Sequence, residues 1–245
     1  LGKTLNKIRG MYAIAIFDNK HKNLSLVRDP AGIKPIYCAK TSKGWVFASQ
    51  YDQIFKHPWF RNKRKINPES LAEYLQLGYI PSPNALFLDS WMIGPGEIYT
   101  ISNSFSISKK VYYRIEDRRD MLETSTDTLK KLNEILSSVI ADYTISDVPL
   151  GTFLSGGIDS PLVTSIASQF APNIKAFTVS STHSGIDESI QARKIAKHLR
   201  INHSVQSFES NNVSDWLSKH FRAFSEPFSD YSSLPTYSLS KISSK

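Results

Sequence analysis

Two adjacent glycines, placed where a short apolar run hands over to a helix-spaced one, restrict this chain more than any other feature. They lie in Leu154-Ser155-Gly156-Gly157-Ile158-Asp159-Ser160, which also carries two hydroxyls and one carboxylate. Upstream, Val148-Pro149-Leu150-Gly151-Thr152-Phe153-Leu154 has the composition of a buried parallel strand. Downstream, Leu162, Val163, Ile166 and Phe170 fall at helical spacing, and Pro161 suits a first helical turn. A strand that enters a helix through Ser-Gly-Gly leaves backbone N–H groups pointing at one spot, with the positive end of the helix dipole behind them. That spot suits an anion, and the pyrophosphate of a nucleotide is the expected one.

The residue types fit that reading in detail. Gly156 and Gly157 let the backbone approach phosphate oxygens with no Cβ in the way, and Ser155 and Ser160 add hydroxyl donors. Asp159 would repel bare phosphate, so it either holds Mg²⁺ against the phosphates or caps the helix N-terminus. A plain glycine-rich strand-to-helix turn is the competing account.

Ser155 to Ser160 resembles the SGGxDS loop of the ATP pyrophosphatases, and Ser146-Asp147-Val148-Pro149-Leu150-Gly151 before it resembles asparagine synthetases. A second set of residues agrees. Arg9-Gly10-Met11-Tyr12-Ala13-Ile14-Ala15-Ile16-Phe17-Asp18, Arg28-Asp29-Pro30-Ala31-Gly32-Ile33-Lys34-Pro35-Ile36-Tyr37 and Phe47-Ala48-Ser49 resemble the later half of the glutaminase domain of glutamine-hydrolysing asparagine synthetase. Gly78-Tyr79-Ile80-Pro81-Ser82-Pro83 and Pro95-Gly96 extend the likeness, as does Glu226-Pro227-Phe228-Ser229-Asp230, to which no chemistry is assigned. Gln50 departs from it, standing where the family commonly shows glutamate, and Pro161 is a milder departure.

The resemblance implies an N-terminal cysteine nucleophile whose own α-amino group serves as general base, and residue one here is Leu1. Cys38, the single cysteine, sits in the β-like run Ile36-Tyr37-Cys38-Ala39-Lys40 and reads as a buried, inert thiol. The family's second Ser-Gly-Glu-Gly-Ser-Asp-like loop has no counterpart before Lys245. The expectation is therefore an internal fragment.

Hydrophobic period divides the chain. From Gly10 to Tyr113, short strands (Tyr12 to Phe17, Leu24 to Val27, Ile36 to Ala39, Trp45 to Ala48, Glu97 to Ile101) alternate with turns, interrupted by one helix at Pro68 to Leu77. Residues 114–126 are charged and polar, as a linker would be. Then helix (Asp127 to Tyr143), strand (Gly151 to Leu154), helix (Ser160 to Phe170), strand (Lys175 to Val179), helix (Glu188 to Leu199), strand (His203 to Phe208) and a helix carrying Val213, Trp216, Leu217, Phe221 and Phe224 imply a parallel sheet covered by helices. Ligands of such sheets sit beyond the carboxyl ends of the strands, where the Ser155 loop and the segment from Val179 to Glu188 both emerge. With the resemblance, the expected fold class is a partial, β-rich α+β glutaminase-like domain of the Ntn-hydrolase type over 1–113. It is followed over 127–245 by part of an α/β parallel-sheet ATP pyrophosphatase domain, adenine nucleotide alpha hydrolase-like.

Composition adds bounds. With 40% apolar residues, 245 residues can bury a substantial core, and a lone cysteine excludes an intramolecular disulfide framework. No run of about 18 apolar residues argues for a membrane span, and a cytoplasmic enzyme is expected. The net charge of +8 is spread over short pieces such as Lys63-Arg64-Lys65, Arg118-Arg119 and Lys130-Lys131, which reads as solvated surface rather than a nucleic-acid site.

The resemblance further implies site residues. Leu154 and Val179 match positions flanking adenine, and Asp159 matches one that helps hold Mg²⁺. Asp187 and Glu188, in Gly185-Ile186-Asp187-Glu188-Ser189, look like the acidic pair opening the next helix in relatives, with ordinary N-capping the equal alternative. His203 matches a frequent family position, and a structural histidine at a strand start is the favoured reading. The implied reaction is ATP-dependent amidation of aspartate through β-aspartyl-AMP, with glutamine or ammonia as nitrogen source, ATP and Mg²⁺ as cofactors and a homodimer as the family's oligomer. The competing readings are an acyl-adenylating amidotransferase for another carboxylate (β-lactam synthetase-like or cell-envelope), another ATP pyrophosphatase such as a tRNA-modifying or GMP-forming enzyme, and a non-catalytic nucleotide-binding remnant. The 245-residue chain alone is expected to release no pyrophosphate from ATP on addition of aspartate; measurable aspartate-dependent release in a coupled assay would overturn that.

Overall fold

The computed structural model describes residues 1–114, 126–181, 187–208 and 213–244. Most of the expected linker, together with Gly185, Ile186 and the Arg118-Arg119 pair, lies outside the described residues. The chain divides into two compact units, Leu1–Arg118 with Phe221–Asp230, and Arg119–His220 with Tyr231–Lys245.

In the first unit a short helix α1 (Gly2–Leu5) precedes strands β1 (Ala13–Asp18), β2 (Asn23–Arg28), β3 (Tyr37–Thr41) and β4 (Gly44–Ala48). Helices α2 (Tyr51–Lys56) and α3 (Pro68–Leu77) follow, then β5 (Ser90–Met92), β6 (Glu97–Ile101) and β7 (Ile107–Val111). The strands form two antiparallel sheets, ordered β1-β2-β6-β7 and β4-β3-β5. Strand alternation sorts the side chains: Cys38 joins Leu26, Tyr99 and Ile101 of the other sheet in one core, while Tyr37 and Ala39 face Tyr51 and Ile54 of α2 in another. Cys38 is fully buried and burial pushes its thiol up to about 12, so it is an inert packing residue.

The five expected strands and the Pro68–Leu77 helix form as read, with Asn67 capping α3 through its side chain and Gly78 ending it in a left-handed conformation. The single-helix expectation is corrected by α2, and β5 and β7 were not foreseen. β5 spans three residues, too few for a period to register, and β7 reads Ile-Ser-Lys-Lys-Val, largely exposed. β5 is instead fixed by a buried knot: Phe87 N–H donates to the Tyr51 hydroxyl (2.9 Å), which donates to Ser90 Oγ (2.7 Å), which donates to the Phe87 carbonyl (2.6 Å).

The turn after β2 is held by its own side chains. Buried Asp29 accepts from the N–H groups of Ile33 (3.0 Å) and Lys34 (2.9 Å), and Arg28 donates to the carbonyls of Ile93 (2.8 Å), Gly32 (2.6 Å) and Lys34 (3.2 Å). Gly32 sits at φ +67°, where an added Cβ would lie 2.8 Å from Pro95 Cγ.

The second unit runs α4 (Thr126–Tyr143), β8 (Gly151–Phe153), α5 (Asp159–Phe170), β9 (Lys175–Ser181), α6 (Ser189–Leu199), β10 (Asn202–Phe208), α7 (Val213–Ala223) and α8 (Ser233–Ser243). Its sheet is parallel, in the order β10-β9-β8. β8, expected as a buried strand, pairs with β9, and Gly151, Phe153 and nearby Val148 are exposed among the described residues. The face that α5 buries is Thr164, Ile166 and Ala167, packed on Ile140 of α4, whereas Leu162, Val163 and Phe170 of the expected stripe remain exposed. Among the described residues, no strand pairs with the outer edge of β8. α8 was not foreseen and packs on β9 and β10.

Phe221–Asp230, grouped by sequence with the second domain, is built into the first unit. The Tyr51 N–H donates to Ser225 Oγ (3.0 Å), the Ser229 N–H to the Gly78 carbonyl (2.9 Å), and the Tyr37 hydroxyl to Glu226 Oε1. Burial raises the Glu226 carboxyl, opposed by the Tyr37 hydrogen bond and the Arg28 charge, and Glu226 Oε2 is buried without a hydrogen-bond partner. A carboxyl raised in the folded state keeps its proton longer there than in the unfolded chain. Its ionisation therefore erodes stability as pH rises from the ordinary carboxylate value, about 4.3, through its folded value. Glu226→Gln, which retains an oxygen for Tyr37, is expected to match wild type in thermal midpoint near pH 4 and to exceed it at neutral pH; an equal or lower midpoint at pH 7 refutes this.

Candidate functional site

The carboxyl end of β8 presents the Ser155–Ser160 loop. Its three leading N–H groups are each answered by a side-chain oxygen: Ser155 by Ser160 Oγ (2.8 Å), Gly156 by Glu188 Oε2 (3.2 Å) and Gly157 by Ser155 Oγ (3.2 Å). The Ser155 and Ser160 hydroxyls lie 2.8 Å apart. Buried or crowded N–H groups need acceptors, and in this turn short serine and glutamate side chains supply oxygens at positions a phosphate would supply. Pro161 has no N–H, and the Leu162 N–H makes a 3.1 Å helical bond to the Ile158 carbonyl. The open amino end of α5 therefore adds its dipole behind the loop.

The two glycines have different reasons. A Cβ at Gly156 would lie 3.2 Å from Gln191 Cβ and 3.3 Å from Glu188 Cβ, so this backbone is pressed onto the start of α6. At Gly157 a Cβ would meet only Ser155 Oγ, at 3.5 Å, so the space beside this glycine is open. Asp159 opens α5, exposed beside the loop, with no cap hydrogen bond from the residue before it.

The acidic pair divides its work. Asp187 accepts from the Ser189 N–H (3.0 Å), a bond that holds its carboxyl below the usual range. Glu188 makes no cap hydrogen bond to its own helix and reaches across to Gly156 instead.

Leu154, expected to flank adenine with its side chain or its backbone, turns that side chain into the core. Its side chain is buried against Ala176, Ala192 and Ala196, its N–H donates to the Phe177 carbonyl (2.9 Å), and its carbonyl accepts from Thr178 Oγ1 (2.6 Å). Since the Thr178 hydroxyl proton is given to Leu154, its oxygen accepts from His203 Nε2 at 2.7 Å, which fixes the protonated ring nitrogen. Burial first, and the Arg193 charge second, lower the His203 pKa, favouring the neutral ring. His203 is thus a structural histidine that steadies the loop's entry through Thr178. Thr178 carried no motif; its only signal was a polar residue in the interior of a strand. Val179 is half-buried on β9, aligned with Gln206 of β10.

Among the described residues no group of three or more His, Cys, Asp or Glu side chains is arranged to hold a metal ion. Separately, the first unit contains a cavity of about 420 Å³ whose polar lining includes Arg28, Ser82 and Glu226.

The second unit thus carries a strand-to-helix loop at the carboxyl end of a parallel strand, and the first a pair of antiparallel sheets. Comparison with known proteins adds to this: the family described as glutamine amidotransferase domain matches residues 2–113 and that described as asparagine synthase matches residues 131–245. The chain is 30% identical over 98% of its length to asparagine synthetase [glutamine-hydrolyzing] 1 of Bacillus subtilis, covering 37% of that protein. It is 27% identical over 98% of its length to putative asparagine synthetase [glutamine-hydrolyzing] 2 of Methanocaldococcus jannaschii, covering 47% of it. The chain thus spans less than half the length of these relatives. A glutamine-dependent NAD+ synthetase from Acinetobacter baumannii superposes with a TM-score of 0.38 at 11% identity, over 99% of this chain and 60% of that one, a likeness too slight to bear on function.

Thr178→Val, nearly isosteric, removes the donor to the buried Leu154 carbonyl and the acceptor for His203. It is expected to destabilise the second unit by about 1–3 kcal/mol in urea unfolding; an unchanged midpoint would show the network contributes nothing.

Proposed function

We propose that the chain is the ATP-binding and part of the glutaminase-like region of an aspartate-amidating ligase, with 1–113 from an Ntn-type glutaminase domain, 114–126 as linker and 127–245 from the ATP pyrophosphatase domain. The observation that carries the reading is the loop in which Ser155, Gly156 and Gly157 aim their N–H groups at oxygens while α5 opens behind them. The family match supports it.

In this reading the N–H groups of Ser155, Gly156 and Gly157 and the Ser160 hydroxyl receive the pyrophosphate, and Val179 flanks adenine from β9. Leu154 contributes only by holding the strand end in place. Asp159 would hold Mg²⁺, which would supply positive charge against the phosphates. The side-chain carboxylate of aspartate attacks the α-phosphorus, giving β-aspartyl-AMP and pyrophosphate. Ammonia, drawn from glutamine, then displaces AMP to form asparagine. A carboxylate is a poor electrophile until it carries a leaving group, and the loop's fixed dipoles stabilise charge on the departing pyrophosphate with no covalent catalyst.

Calorimetric titration of ATP into the chain tests the site. Asp159→Asn is expected to weaken binding roughly tenfold with Mg²⁺ present and little with EDTA. Equal affinities for the two proteins with Mg²⁺ would leave Asp159 as a helix-opening residue and not a metal ligand.

A further inference from the structure

The contact of Glu188 with the loop is unlike every other bond there. Ser155 and Ser160 are part of the loop and move with it, whereas Glu188 arrives from another element, at the amino end of α6. Asp187 already supplies the cap for the Ser189 N–H, and α6 takes up the Glu188 carbonyl through the Ala192 N–H (3.0 Å), so the helix has no need of the Glu188 carboxylate. That carboxylate is exposed, and it rests on the Gly156 N–H at 3.2 Å, at the long end of the hydrogen-bond range. Nothing else among the described residues bonds that N–H.

We propose that Glu188 is an internal occupant of the pyrophosphate position, a carboxylate that a phosphate oxygen must displace from Gly156, and that it thereby sets how tightly the loop holds its ligand. The inference rests on the loop being the nucleotide site. Two effects act together. The Gly156 N–H has one proton and serves one oxygen well, so Glu188 and phosphate compete for it. Once displaced, Glu188 stays within reach of the loop because the Gly156 backbone is pressed against its own Cβ, and like charges that close repel. A loop without this carboxylate holds its product pyrophosphate more strongly and releases it more slowly. Glu188 is thus an affinity-determining residue that favours turnover over retention.

The competing account makes Glu188 a strut that shapes the loop for its ligand, and the two predict opposite results. The test uses the chain with inorganic pyrophosphate and, separately, ATP, each with Mg²⁺, comparing wild type, Glu188→Gln and Glu188→Ala. Gln keeps an oxygen for Gly156 without the charge, and Ala removes the occupant altogether. Both variants are expected to bind pyrophosphate roughly three- to tenfold more tightly than wild type, with unchanged circular dichroism and thermal midpoint as the fold control. Binding that is unchanged or weaker in either variant, with wild type still binding, overturns the role of Glu188 and leaves the nucleotide site intact. Absence of binding by all three proteins overturns both.

Discussion

Crowded backbone N–H groups that must find an acceptor are the constraint around which the second unit is organised. The turn from β8 into α5 exposes several such groups within a few residues, with a proline removing one more and a helix dipole adding positive character. The chain meets the demand with short hydroxyl side chains inside the turn and one carboxylate from outside it. An arrangement so rich in donors is stable with oxygen atoms on it, whether they come from side chains or from a phosphate. Stability in the free protein and affinity for an anion therefore draw on the same atoms.

The surroundings of the loop are arranged to keep it in position. Leu154 is locked by its side chain in the alanine-lined core and by both of its backbone groups, with Thr178 and His203 closing the network from the two neighbouring strands. Gly156 lies flush against α6. Only Gly157, Ile158 and Asp159 are exposed, which leaves a narrow, chemically simple face on a rigid base.

Much of this was legible in the sequence because it depends on local rules. Glycine pairs, helical spacing, Asn67 ahead of Pro68 and the alternation of β3 announce their elements directly. What the sequence could not convey depends on partners distant along the chain. Nothing near Gly156 identifies Glu188 as its acceptor, and nothing near Thr178 reveals that it serves Leu154. Leu154 itself matched a ligand-flanking position in relatives yet is spent on packing, since a similar residue type serves both ends. Tyr37 and Glu226, separated by most of the chain, give no sequence signal of their bond.

That last pair bears on how the chain can be divided. Phe221–Asp230 begins in the last turn of α7 but is counted with the antiparallel sheets, so the polypeptide leaves its first unit, builds most of its second, and returns to finish the first before adding α8. The first unit therefore includes residues from beyond the charged and polar stretch 114–126, where composition places a linker. A gene cut there would yield an amidotransferase half with Tyr37 and Tyr51 missing their partners at Glu226 and Ser225. A first unit made on its own would need that ten-residue stretch added in trans for the two tyrosines to be satisfied.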